Sequence, residues 1–125
     1  MFIMSDGGDN ASQADQNAAV SALLIAGIKV YAIGRRFDPT AGPFQSERGA
    51  KALNKIAEST GGKVYITTKE KDFDTALTDI ADELTDIFAV TYTPPVQKSK
   101  GQFHKLEVKS RKKDISITAP DRLNN

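Results

Sequence analysis

Residues 1–4 form an uninterrupted apolar run, Met-Phe-Ile-Met, that leads straight into Ser5-Asp6-Gly7-Gly8-Asp9-Asn10. This junction limits the possible folds more than any other stretch of the chain. A run that is apolar at every position and bounded by turn residues fits a strand buried on both faces, as in a parallel sheet. Residues just past the carboxyl end of such a strand fall where open α/β sheets place their ligands. Asp6 is the first carboxylate out of the strand, and therefore the first candidate for a metal or ligand site.

The chain then alternates helical and strand patterns. Ser12 with Asp15 three residues on gives a capping-box-like helix start, and Ala18, Ala19, Ala22, Leu23 and Ala26 supply a small-residue stripe at helical spacing. Gly27 is placed to stop that helix in the left-handed conformation. Residues 28–33 read as a second strand ended by Gly34, and residues 35–45, with Pro39, Gly42 and Pro43, read as a loop. Ser46 is then the expected cap of a second helix whose buried stripe is Ala50, Leu53, Ile56 and Ala57. Gly61-Gly62 breaks it, and residues 63–67 form a third strand.

A third helix is the clearest element. Phe73, Ala76, Leu77, Ile80, Ala81, Leu84, Ile87 and Phe88 follow i, i+3, i+4, i+7 spacing. Right-handed crossovers would set the first two helices on one face of the sheet, leaving the other face to the third. Beyond it, residues 88–93 (stopped by Pro94-Pro95), 102–109 and 114–119 read as an antiparallel meander, and 120–125 as a frayed tail.

Composition narrows the function classes. Seventeen Lys and Arg against sixteen Asp and Glu leave a formal charge of +1, which gives no general case for nucleic acid or an acidic membrane. The basic stretch 98–113 and the acidic stretch 72–86 read as solvated faces. Without cysteine there are no disulfides or thiolate metal sites. The apolar start is too short for a signal peptide core and no stretch is long enough to span a bilayer.

Three stretches carry a family resemblance. They are Phe2-Ile3-Met4-Ser5-Asp6-Gly7-Gly8-Asp9-Asn10, Ala26-Gly27-Ile28-Lys29-Val30-Tyr31-Ala32-Ile33-Gly34, and Leu53-Asn54-Lys55-Ile56-Ala57-Glu58-Ser59-Thr60-Gly61-Gly62-Lys63-Val64-Tyr65. In this order and at these spacings, residues 1–88 resemble the second half of a von Willebrand factor A (VWFA) domain. Phe88-Ala89-Val90-Thr91-Tyr92-Thr93-Pro94-Pro95 and Gly101-Gln102-Phe103-His104-Lys105-Leu106-Glu107-Val108-Lys109 are similar to the strands that follow that domain in bacterial VWFA-related proteins of the acidobacterial type. Ile115-Ser116-Ile117-Thr118-Ala119-Pro120 does not match the family's closing strand with its Gly-Tyr ending.

The resemblance implies an α/β fold: a Rossmann-like parallel sheet with helices on both faces over residues 1–88, an antiparallel β unit at 89–119 and a flexible tail at 120–125. It implies a binding or adhesion module rather than an enzyme, exported to the periplasm or beyond. The family's metal-ion-dependent adhesion site combines an Asp-x-Ser-x-Ser loop, a Thr from a later loop and an Asp after the fourth strand. Asp6 matches that last Asp, and the other elements precede it in the family order. Mg²⁺ takes about six oxygen ligands and readily keeps waters; the resemblance implies that Asp6 is one corner of a Mg²⁺ or Mn²⁺ site in a full-length parent, and this chain alone is expected to hold no metal tightly. The parent's partner is expected to be a protein.

Other candidates have plainer readings. Ser5 is a strand-end serine. Arg35, Arg36 and Asp38 would lie on the same rim as solvated side chains. His104 reads as a surface histidine, and Tyr31, Tyr65 and Tyr92 as strand residues with one polar end. The Ser5-Asp6-Gly7-Gly8-Asp9-Asn10 turn also faintly resembles the last metal-binding motif of haloacid-dehalogenase-type phosphatases, but the Asn and second Asp are in the wrong order and no Asp-x-Asp strand precedes them. The apolar edge of residues 1–4 is a template for self-association, as are the C-terminal strands.

Overall fold

The computed structural model describes residues 1–5, 15–35, 43–91 and 101–124, with the side chains of 35 and 43–47 left aside. Asp6, Asp9, Asn10, Ser12, Arg36, Asp38, Tyr92 and Thr93 lie outside the described residues. The order is β1 (Phe2–Ser5), α1 (Gln16–Ile25), β2 (Tyr31–Arg35), α2 (Pro43–Ser59), β3 (Val64–Thr67), α3 (Glu70–Thr85), β4 (Phe103–Lys105) and β5 (Arg122–Asn124). Strands β1, β2 and β3 form a parallel sheet in that spatial order, and β4 and β5 pair antiparallel in a separate two-stranded sheet. The α/β class is therefore as expected.

Register decides which side chains share a face. Phe2 pairs with Tyr31, Met4 with Ile33, and Ile33 with Tyr65. Because neighbours in register point the same way, one face carries Phe2, Met4, Tyr31, Ile33 and Tyr65. Helix α3 lies on this face over β2 and β3, where Ala76 and Ile80 pack with Tyr31 and Ile33, flanked by Phe73 and Tyr65. The opposite face carries Ala32 and Gly34, and Leu53 of α2 approaches there: a Cβ on Gly34 would lie 3.5 Å from Leu53 Cδ1. Helix α1 packs against α2, with Gln16 Nε2 donating to Ala52 O at 2.7 Å and Lys55 Nζ to Asn17 Oδ1 at 2.7 Å.

Several boundaries differ from the sequence expectation, each for a local reason. The cap of α1 is Asp15, whose carboxylate accepts the Ala18 N–H at 2.8 Å. Its buried residue is Val20, while Ala18, Ala19 and Ala22 are exposed. A helix with apolar residues on every side gives periodicity nothing to select. Gly27 does take the left-handed conformation, at φ 64°, with the Ile28 N–H returning to Leu23 O at 2.9 Å. Strand β2 runs through Gly34 to Arg35 instead of stopping at it. Helix α2 begins at Pro43, so residues 43–45 are not loop and Ser46 is not its cap. Proline suits a first helical turn because its missing N–H has no partner to lose there.

The C-terminal part departs most. Helix α3 ends at Thr85, leaving Ile87 57% and Phe88 85% exposed, and residues 87–91 carry no strand. Of the expected segment 102–109 only Phe103–Lys105 is strand, and 114–119 is not strand at all. Its place is taken by β5, inside the stretch expected to fray. Main-chain bonds fix β5 there: Asp121 N–H donates to Ser59 O at 3.2 Å, and Leu106 N–H to Asp121 O at 2.8 Å.

Candidate functional site

The carboxyl ends of β1, β2 and β3 bring Ser5, Arg35 and Thr67 to one rim of the sheet. Asp6 follows Ser5 directly, just beyond the described residues. Thr67 is buried and its hydroxyl donates to Gly34 O at 3.4 Å, tying the ends of β2 and β3 together. Behind them α3 opens on the same rim. Asp72 Oδ2 accepts the Thr68 N–H at 3.2 Å, the Thr68 hydroxyl at 3.0 Å and the Lys69 N–H at 3.0 Å. These bonds, the Thr68 N–H foremost, hold the Asp72 carboxyl below the usual carboxylate range. The reciprocal half of a capping box is absent, because a Lys69 ammonium has no lone pair to offer the Asp72 N–H.

This commitment decides what Asp72 can do. A carboxylate oxygen already shared among three donors is a helix cap, and its negative charge also suits the positive end of α3. Among the described residues no group of three or more His, Cys, Asp or Glu side chains could hold a metal ion.

At the opposite, amino end of the sheet the structure assembles a polar cluster that sequence reading treats as separate residues. Lys63, just before β3, pairs with Glu83 of α3. Tyr31 lies alongside, 3% exposed, and its buried hydroxyl and the buried Glu83 Oε2 have no hydrogen-bond partner of normal length among the described residues, although the two groups are near enough for a weak bond between them. Lys29 Nζ sits 5.4 Å from the centre of the Tyr31 ring, a cation–π distance. Burial first, and then the Glu83 carboxylate, pushes the Tyr31 phenol above its ordinary value, with Lys63 opposing. Tyr65 is raised by the same two causes in the same order. The Lys63 ammonium is held up by its hydrogen bond to Glu83. Strand alternation aligns Tyr31 with Tyr65, and helical spacing turns Glu83 inward; only the register between β2 and β3 unites them.

Elsewhere, Lys51, Asn54, Lys55, Glu58, Ser59 and Asp121 line an open groove of about 510 Å³ between α2 and the start of β5. Its two lysines face two carboxylates, leaving no net charge preference. His104 is half-buried rather than a surface residue, and its Nε2 is buried without a hydrogen-bond partner among the described residues. Its ring lies in β4, opposite Leu123. Among the described residues no helix is long and apolar enough to cross a membrane.

No protein-family model matches the chain, and neither does any curated protein or any solved structure.

Proposed function

We propose that this chain is the C-terminal half of a von Willebrand factor A-type binding module, whose full-length parent is an exported protein that holds a protein partner through a divalent cation. The observation that supports this reading best is the end of β1. This strand lies in a parallel sheet, next to β2, and its carboxyl end brings Ser5, the residue before Asp6 in the sequence, to the rim where α/β sheets take ligands. Helices on both faces of the sheet, and α3 opening on the same rim, agree with that architecture. Asp6 would be one oxygen-bearing corner of a Mg²⁺ or Mn²⁺ site, with the remaining ligands supplied from the Asp-x-Ser-x-Ser half. Binding, not catalysis, is the proposed activity.

Calorimetric titration of Mg²⁺ and Mn²⁺ tests the proposal. This chain should give no tight binding, whereas a longer chain carrying an Asp-x-Ser-x-Ser loop ahead of Met1 should bind, and Asp6→Ala should weaken that binding. A longer chain with the loop intact that binds neither ion would defeat the reading. Turnover of a generic aryl phosphate by either chain would favour a phosphatase instead.

A further inference from the structure

We infer that the loop between β4 and β5, residues 106–120, is a docking surface for an anionic lipid bilayer, on which the chain lies without crossing it. The inference does not rest on the cation reading, since it uses only side chains held at the opposite, amino end of the sheet.

A few bonds fix where this loop lies. Leu106 N–H donates to Asp121 O at 2.8 Å, Asp121 N–H to Ser59 O at 3.2 Å, and Lys29 Nζ to the Thr118 hydroxyl at 3.2 Å. Ala119 and Pro120 lie close against Gly61. Lys29 leads into β2 and Gly61 toward β3, so both ends of the loop are tied to the amino end of the sheet, beside α1 and the end of α2. Between those ties residues 107–118 form neither helix nor strand, and all but Ser110 are exposed. The Ser110 hydroxyl accepts the Lys112 N–H at 2.9 Å, which sets a local turn within the loop. The acidic helix α3 covers the other face of the sheet, over Tyr31 and Ile33. The overall charge of +1 therefore averages two regions that the fold keeps apart.

Two kinds of side chain meet in this loop. Arg111, Lys112 and Lys113 are consecutive and exposed, with Asp114 the carboxylate beside them, while Glu107 is paired with Lys109 at 2.8 Å. Val108, Ile115 and Ile117 stand among these charges 46%, 49% and 43% exposed. Exposed aliphatic groups gain nothing from phosphates alone, and residues 107–118 include no aromatic side chain on which bases could stack. A protein partner needs a shaped complement, which an irregular loop standing in solvent does not offer. An anionic bilayer takes both kinds at once, the cations at its phosphates and the valine and isoleucines at the acyl boundary. Binding at such an interface scales with buried apolar area plus electrostatic attraction, and this loop supplies both. Each basic side chain near an anionic surface is worth about a fivefold gain in partition, so Arg111, Lys112 and Lys113 give up to about a hundredfold preference over neutral lipid.

Co-sedimentation with lipid vesicles tests this, run in a chelator so that no divalent cation bridges protein and lipid. Vesicles of phosphatidylcholine with a quarter of phosphatidylglycerol should carry the chain down at low salt, phosphatidylcholine alone should not, and high salt should release it. Arg111→Gln, Lys112→Gln and Lys113→Gln together should weaken that binding about tenfold or more. Circular dichroism should stay that of the parent, because all three side chains are in solvent. The chain has no tryptophan, so Ile115→Trp gives a single reporter, whose emission should move to shorter wavelength on the anionic vesicles as the ring enters the interface. A chain that stays in solution with anionic vesicles at low salt would overturn the inference. So would equal binding to neutral vesicles, or binding that ignores the triple Gln change, since the contact would then lie on another surface. Tighter retention by mixed-sequence DNA than by the vesicles would overturn it as well, and would assign the cations to phosphodiesters.

Discussion

The Thr60 hydroxyl accepts the N–H of Val30 at 3.1 Å, and both residues are almost fully buried. The same hydroxyl lies 2.9 Å from Ala57 O and 3.0 Å from Ile56 O, the carbonyls to which it can donate at the end of α2. One side chain thus closes a helix and satisfies the backbone donor that leads into the central strand. Thr60→Val keeps the shape but leaves the Val30 N–H buried and unpaired. It should cost about 1–3 kcal/mol in urea unfolding. Thr60→Ser, which keeps the hydroxyl, should cost clearly less.

The two residues that follow permit close approach of main chains. Gly61 takes φ 78°, and a Cβ there would meet Ala119 C and Pro120 N at 2.6 Å. At Gly62 a Cβ would collide with the Val30 carbonyl. Gly61→Ala combines a left-handed conformation with that clash, and should cost about 2 kcal/mol or more. Its effect should be local to the crossing chain. Amide exchange should accelerate at Asp121 and Leu106, whose N–H groups bond to Ser59 O and Asp121 O, before it does in β2.

These contacts explain what sequence could and could not convey. The β-α-β-α-β-α order was legible because apolar runs and the spacing of Phe73, Ala76 and Ile80 carry their period within a few residues. The start of α2 was not, because Pro43 is equally at home in a loop and in a first helical turn. The face of α1 was hidden by apolar residues all round it. Strand β5 has one apolar residue among Arg-Leu-Asn. It is a strand because β4 and Ser59 bind it, an effect that acts far along the chain. For the proposed cation site, sequence offers Asp6 as a single corner, and that residue lies outside the described ones. The cluster of Tyr31, Lys63, Tyr65 and Glu83 exists only once strands and helix are brought together.

Asp72 should contribute to the acid limb of stability. Its carboxyl is held below the ordinary aspartate value of 3.8 in the folded chain. A depressed folded pKa favours the native state above the unfolded pKa, and that contribution fades as pH falls through the folded value. Asp72→Asn should therefore lower the melting temperature at neutral pH and lose that disadvantage progressively below about pH 4. Parallel melting curves that keep a constant gap down to the most acid pH would show that the charge at the α3 start is not what stabilises it.

Tyr31 supplies the opposite, alkaline case. Its hydroxyl is buried beside the Glu83 carboxylate, out of reach of a normal-length hydrogen bond among the described residues but near enough for a weak one, so Tyr31→Phe removes a polar atom and breaks no more than that weak bond. The change should alter stability by less than about 0.5 kcal/mol, and in either direction. The phenols of Tyr31 and Tyr65 are both raised above 10.0. A raised folded pKa means the native state holds its protons more tightly than the unfolded chain. The stability this gives is complete below the unfolded value and is lost as pH climbs through the folded one. Phenolate absorbance should then show two tyrosines titrating late in the folded protein, one of them missing in Tyr31→Phe, whose alkaline unfolding should begin at higher pH. Glu83→Gln should move the remaining late titration downward, because the carboxylate beside both rings is the second cause of their shift after burial.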